Sequence, residues 1–206
     1  MTKVIILAAG EGKRLRPITN DLPKCMIKLG GIPLITRQIQ LLKELGFNNI
    51  NIITGYKSEL FQSLGCNLIN NKNYKTTNML YSLMLAYKLF DSKEDILVLY
   101  SDIVLEKKII KQIIKINKNI VVAADISWEK LWSKRMDDYI NDVESFKLGD
   151  NGQIVEIGKK VNSIEEIKGQ YMGVIKFSKN IQSEIISVYK SIIKDNSKSR
   201  LEINSF

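Results

Sequence analysis

Between Ala8 and Lys28 the chain reads AAGEGKRLRPITNDLPKCMIK, with Gly10 and Gly12 set among five cations: Lys13, Arg14, Arg16, Lys24 and Lys28. Glycines let backbone amides come close to an anion, and guanidinium forks grip phosphate oxygens two at a time. The stretch therefore suits a polyphosphate. It is not a P-loop, which needs Gly, four residues, then Gly-Lys-Ser/Thr, and it is not a dinucleotide fingerprint, because position 15 is Leu and no acid ends the second strand at Thr54 and Gly55. A mobile solvated loop is the competing reading. Pro17, Pro23 and Pro33 all fall in this region, and each fixes φ, which argues for a shaped loop over residues 9–33.

The second group able to do chemistry is Asp102, delivered with Ser101 at the end of the apolar run DILVLY. Ligands of open α/β sheets bind outside the carboxyl ends of strands. An acid there either caps a turn or holds a hard cation. The chain has no histidine, which removes Ser-His-Asp and Cys-His mechanisms and histidine general bases. Chemistry must run on Lys, Arg, Asp and a metal ion.

The elements that position these groups follow from periodicity. Lys3–Leu7, Ile50–Thr54, Asp95–Tyr100 and Ile120–Ala124 are short, largely apolar runs containing Ile and Val, of the kind found in buried strands, and Leu64–Ile69 is a weaker candidate. Helical spacing is expected from Pro33 to Leu45, from the N-cap Asn78 to Leu89, over Ile103–Asn117 and over Ile181–Lys194. Asp142–Leu148 and Gln153–Ile157 alternate around a glycine turn as a hairpin, and Gly169–Phe177 is a further strand. Strand, loop, helix, strand order predicts an α/β fold: a Rossmann-like mixed, mostly parallel sheet flanked by helices, with a small antiparallel flap.

The 206 residues, 45% hydrophobic, suit one domain with its own core. The net charge of +9 favours polyanionic partners, although lysine-rich solvated helix faces account for much of it. No apolar run approaches the roughly 20 residues of a membrane span and no signal peptide opens the chain, so a cytoplasmic location without membrane contact is expected. Cys25 and Cys66 lack metal spacing and are expected as free thiols. Trp128 and Trp132, four apart, pack a helix face or form part of a cage for a quaternary ammonium.

LAAGEGKRLRP, Thr19, Pro23-Lys24, Gly31, Pro33 and Leu34 together resemble the signature of the sugar-phosphate nucleotidyltransferase family. The likeness extends through TGY (Thr54–Tyr56), the strand ending at Asp102 and YMGVIKFS, and TTNMLYSL (Thr76–Leu83) is similar to the phosphocholine cytidylyltransferase-like branch. The resemblance implies a GT-A-like fold that binds CTP, or another NTP, and a small phosphorylated or phosphonate acceptor. It implies that Leu7, Ala8, Ala9, Gly10 and Gly12 lie along base and ribose, that Lys13 and Arg14 meet the triphosphate, and that Lys24 sits at the reacting phosphates. Asn78 and Ser82 would lie near the base, Asp102 would bind Mg²⁺, Lys159 or Lys160 would reach the acceptor phosphate, and Tyr171 and Gly173 would line the acceptor pocket. Arg14 and Lys24 would be the catalytic cations.

The family places a second metal-binding Asp after its last helix, and none follows Asp195 in SKSRLEINSF, so residues 1–206 are expected to be a single nucleotidyltransferase domain lacking the family's C-terminal segment. Cell-surface polysaccharide or lipid decoration is the expected setting, with no nucleic-acid partner and with a homo-oligomer left open. Three alternatives stand: a sugar-1-phosphate nucleotidyltransferase using another NTP, a GT-A type glycosyltransferase, and a non-catalytic nucleotide-binding protein. The glycosyltransferase typically carries Asp-x-Asp, where this chain has Asp102-Ile103-Val104.

Overall fold

The computed structural model describes residues 2–135, 137–161 and 163–196. The segment after Asp195, expected to lack a second metal-binding Asp, lies from residue 197 on outside the described residues. The chain divides into two compact units, one running to Val121 and resuming at Gly173, the other Val122–Met172.

In the first unit, β1 (Thr2–Ala8) leads into the cationic loop, which carries 3-10 turns at Lys13–Leu15 and Lys24–Met26 and the small antiparallel pair β2 (Lys28–Leu29) and β3 (Ile32–Pro33). Helix α1 (Leu34–Glu44) follows Pro33 and buries Ile35, Ile39 and Leu42, as the helical spacing predicts. Next come β4 (Ile50–Thr54), β5 (Asn67–Asn70), α2 (Met79–Met84), β6 (Asp95–Tyr100) and α3 (Lys107–Lys115). β1 pairs in parallel with β4 on one side and β6 on the other, and β4 pairs in parallel with β5. Val4, Ile5 and Ile6 are fully buried, so the β-branched run is explained by its central place, and each of the two isoleucines stabilises the fold by about 2 kcal/mol.

In the first unit three boundaries differ from the sequence expectation by three residues or more. β5 begins at Asn67, because Leu64 closes a 3-10 turn (Ser58–Leu64) that Gly65 terminates in the left-handed region at φ 63°. The helix expected from Ile103 begins at Lys107, since Glu106 is still extended (φ −84°, ψ 145°). The helix expected to reach Leu89 stops at Met84 and is followed by a 3-10 turn, Tyr87–Leu89.

In the second unit, β7 (Ile120–Asp125), whose first residues belong to the first unit, leads to α4 (Trp128–Trp132) and then to the antiparallel hairpin β8 (Glu144–Leu148) and β9 (Ile154–Lys160). The Gly149 amide donates to the Gln153 carbonyl at 2.9 Å, closing the turn expected there. β10 (Gln170–Phe177) carries the chain back and pairs antiparallel with β6 through Val174–Phe177, and α5 (Gln182–Asn196) follows. The main sheet runs β5-β4-β1-β6-β10-β7: mixed, mostly parallel and helix-flanked, with the expected hairpin apart. In the first unit Ile5, Ile53, Ile96, Val98, Phe90 and Phe177 form one core cluster.

Candidate active site

β1 and β6 are parallel neighbours, with Leu7 opposite Tyr100, so the loop after Ala8 and the Ser101-Asp102 pair leave the sheet at the same carboxyl edge. The Ser101 amide donates to the Leu7 carbonyl at 3.2 Å, extending the ladder one step. Gln38 of α1 ties this edge down by donating from Nε2 to the Tyr100 carbonyl at 2.9 Å.

The loop is clamped. Gly12 takes φ 63°, and its carbonyl accepts from Oγ1 of the fully buried Thr19 at 2.9 Å. The Tyr56 hydroxyl donates to the Thr19 carbonyl at 3.1 Å and also contacts the Asn20 carbonyl, while the Tyr56 amide donates to Ala9 O at 3.0 Å. Gly55 allows that approach, since a Cβ there would lie 2.7 Å from Ala9 O and from Tyr74 Cβ. Gly10 differs: its φ lies outside the left-handed range and a Cβ would meet nothing within 4 Å. The fold leaves that space open, on the cleft.

Two adjoining concavities occupy this edge. The larger, about 560 Å³, is lined by Leu7–Gly10, Asn78, Ser82, Tyr100 and Ser101 among others, and the smaller, about 410 Å³, by Glu11, Lys13, Leu15 and Lys75 among others. Gly12, Arg14, Lys24, Tyr74 and Asp102 line both. At this boundary Lys24 Nζ sits 2.5 Å from Asp102 Oδ2, with the two side chains 41% and 26% exposed. Lys13 and Arg16 pair with Glu11 at 3.2 and 3.5 Å. Among the described residues Arg14 has no carboxylate partner.

Cys25 lines the larger concavity but is 1% exposed. Burial pushes its thiol up to about 12, against a hydrogen bond with Ser101 that lowers it, and the Asp102 charge raises it further. It is no nucleophile at neutral pH.

At the opposite wall Asn78 caps α2, its Oδ1 accepting from the Tyr81 amide at 2.9 Å. Ser82 is 5% exposed; its hydroxyl donates to the Asn78 carbonyl at 3.1 Å and accepts from Asn71 Nδ2 at 2.9 Å. Asn71 Nδ2 also reaches Thr77 Oγ1 at 2.9 Å, and Asn71 Oδ1 accepts from the Asn73 amide at 2.9 Å. Gly173 has φ 73° and a Cβ there would lie 2.9 Å from the Tyr100 side chain. Its glycine is thus required by strand packing beside a cleft-lining tyrosine.

In the second unit Lys159 and Lys160 are exposed at the end of β9 and Tyr171 is half-buried on β10. Lys159 Nζ pairs with Glu156 at 2.7 Å, which, with Lys147, holds the Glu156 carboxyl down at about 2. Lys160 has no carboxylate partner among the described residues. Trp128 is 3% exposed and packs edge-on against Trp132 and Tyr139, at centroid distances of 6.3 and 6.1 Å. This is the packing alternative for the tryptophan pair.

No cluster of three or more His, Cys, Asp or Glu side chains suited to a metal occurs among the described residues. One carboxylate at a cationic cleft nevertheless fits Mg²⁺, which keeps several waters and binds through one or two carboxylates plus substrate phosphates.

Sequence reasoning missed Asn71, Tyr74 and Lys75. The signal available was Gly55 after a buried strand, a mark of close backbone approach, which turns out to admit Tyr74.

A family model described as MobA-like NTP transferase domain matches residues 4–150. The chain is 36% identical over 204 residues to a CTP:phosphoglutamine cytidylyltransferase of Campylobacter jejuni, covering 93% of this chain and 79% of that protein. It is 48% identical over 88 residues to a choline-phosphate cytidylyltransferase of Streptococcus pneumoniae, covering 41% of this chain and 38% of that one. Among solved structures, a CTP:phosphocholine cytidylyltransferase from Streptococcus pneumoniae superposes with a TM-score of 0.64 at 26% identity, covering 92% and 78% of the two chains.

Proposed function

The chain belongs to the MobA-like NTP transferase family, and from that premise we propose that it transfers CMP from CTP to a small phosphorylated or phosphonate acceptor, with release of pyrophosphate. The observation that carries the reading is the Lys24–Asp102 pair, 2.5 Å apart where the two concavities meet. On one side lie Leu7–Gly10 and Asn78, suited to a nucleoside; on the other lie Lys13 and a cationic wall, suited to phosphates. The bond to be broken then falls at the boundary.

An oxygen of the acceptor's phosphate forms a bond to the α-phosphorus as the bond from that phosphorus to its bridging oxygen breaks, and the electron pair leaves on pyrophosphate. The nucleophile is already an anion, so no general base is needed, which agrees with a histidine-free chain. Arg14, which lacks a carboxylate partner, and Lys24 neutralise the charge that builds on the phosphates, and Gly10, with open space where a Cβ would stand, admits the substrate to the backbone. Asp102 would hold Mg²⁺, which when bound supplies charge neutralisation on phosphate oxygens. Asn78 has its Oδ1 committed to the helix cap, leaving its amide N–H groups for the base. Ser82 acts through that cap, since its hydroxyl is already engaged. For the acceptor phosphate Lys160 is the better candidate, because Lys159 is held by Glu156; Tyr171 and Gly173 complete the assignment on the family resemblance.

A phosphorylated amino acid or phosphocholine is the first acceptor to test, given the relatives' substrates. The site of action in this proposal is the cytoplasm; no helix among the described residues is long and apolar enough to cross a membrane. Incubating the protein with each NTP and Mg²⁺ across a panel of phosphorylated alcohols, amino acids and sugar 1-phosphates, with pyrophosphate as readout, tests the reading. Release with CTP and one acceptor class is expected. Release only with another NTP favours the sugar nucleotidyltransferase alternative, and none at all favours a binding protein.

A further inference from the structure

The smaller concavity has one cation, Lys75, that the signature loop does not supply. Its charged lining consists of Lys13, Arg14, Lys24 and Lys75 against Glu11 and Asp102, four positive groups and two negative. Lys13 is compensated by Glu11 and Lys24 by Asp102. Arg14 and Lys75 remain without a carboxylate among the described residues, and they come from segments about sixty residues apart in sequence. Two uncompensated cations converging on one concavity make a seat for a polyanion.

Lys75 is not on a loose loop. Its ammonium lies 6.0 Å from the centroid of the Tyr74 ring, and Tyr74 packs on Tyr56 at 6.2 Å, the tyrosine that clamps the signature loop. Behind it the buried Asn71 accepts from the Asn73 amide, and the Asn73 carbonyl accepts from the Thr76 amide at 3.0 Å and from Thr77 Oγ1 at 2.9 Å. Lys75 lines only the smaller concavity, whereas Arg14, Lys24 and Asp102 line both.

We propose that Lys75 binds the β- and γ-phosphates of the nucleotide, and hence the departing pyrophosphate, from the wall opposite the signature loop. This rests on the nucleotidyl-transfer reading above. If the α-phosphorus reacts at the Lys24–Asp102 boundary, everything beyond it on the Lys75 side is the leaving group. Lys75 then contributes to CTP and pyrophosphate affinity and leaves CMP untouched.

The test is calorimetric titration of the wild-type protein, Lys75→Gln and Lys75→Arg with CTP, inorganic pyrophosphate and CMP, with circular dichroism to establish that the variants fold. Losing one charge-assisted contact should weaken pyrophosphate and CTP binding of Lys75→Gln about ten-fold, with CMP changed less than about two-fold and Lys75→Arg recovering most of the loss. A wild type that binds CTP and pyrophosphate while Lys75→Gln matches it overturns the Lys75 assignment alone, as does an equal loss for CMP. A wild type that binds none of the three overturns the nucleotidyl-transfer reading and this inference with it.

Discussion

Replacing Lys24 by Met separates the two roles that meet at the boundary of the cleft. At 2.5 Å the gross attraction between Lys24 and Asp102 is about 7 kcal/mol at an effective dielectric of 20. Both side chains remain partly in water, 41% and 26% exposed, so solvent screening and the cost of ordering reduce the net coupling to about 1 kcal/mol. Folding should therefore lose little, with the melting temperature falling about 2–4 °C. Asp102, freed of its ammonium, should bind a divalent cation about five-fold more tightly without nucleotide, measured by Mn²⁺ titration with electron paramagnetic resonance. Turnover should move the other way, falling at least about 100-fold in pyrophosphate release, because the cation proposed to meet the developing charge is gone. Unchanged or weaker Mn²⁺ binding, or turnover within about three-fold of wild type, would refute the assignment of both residues to one centre.

Gly173→Ala forces a side chain into φ 73° and puts a Cβ 2.9 Å from the Tyr100 side chain; a loss of about 3 kcal/mol in urea unfolding is expected, and a loss below about 1 kcal/mol speaks against the close packing. Cys25, its thiol pushed up to about 12 by burial, should be alkylated far more slowly at pH 8 than the less buried Cys66, and equal labelling by mass spectrometry contradicts that environment. Lys159→Ala removes the largest influence holding Glu156 at about 2, so its carboxyl should titrate higher by NMR. Because a depressed carboxyl contributes stability above its ordinary value of 4.5 and loses it as pH falls toward 2, the variant should also show less acid destabilisation through this group over that range.

The sheet was legible because its central strands are near-continuous apolar runs, as β1 and β6 illustrate, and parallel strands buried on both faces have that composition for a physical reason. The signature loop was legible because glycine, proline and cation at close spacing have few other uses. Local chemistry also explains what was misplaced. Gly65 stops a 3-10 turn and delays β5, and Leu64 looks the same in either role when read alone. The opposite wall was not legible. Asn71, Tyr74 and Lys75 sit in NKNYKTTN, which reads as an ordinary polar turn until folding sets Tyr74 against Gly55 and Asn71 behind Ser82. Ser82 lines the larger concavity, with its hydroxyl spent on Asn71 and the Asn78 carbonyl.

The most direct measurement follows the phosphorus. Incubating the protein with Mg²⁺, phosphocholine or a phosphorylated amino acid, and CTP labelled either at the α- or at the γ-phosphorus, distinguishes cytidylyl transfer from every other use of the cleft. The α-label should appear in a cytidine diphosphate conjugate of the acceptor and the γ-label in pyrophosphate, in equal amounts. Transfer of the γ-label to the acceptor, or recovery of both labels in unreacted CTP with every acceptor class, would contradict it.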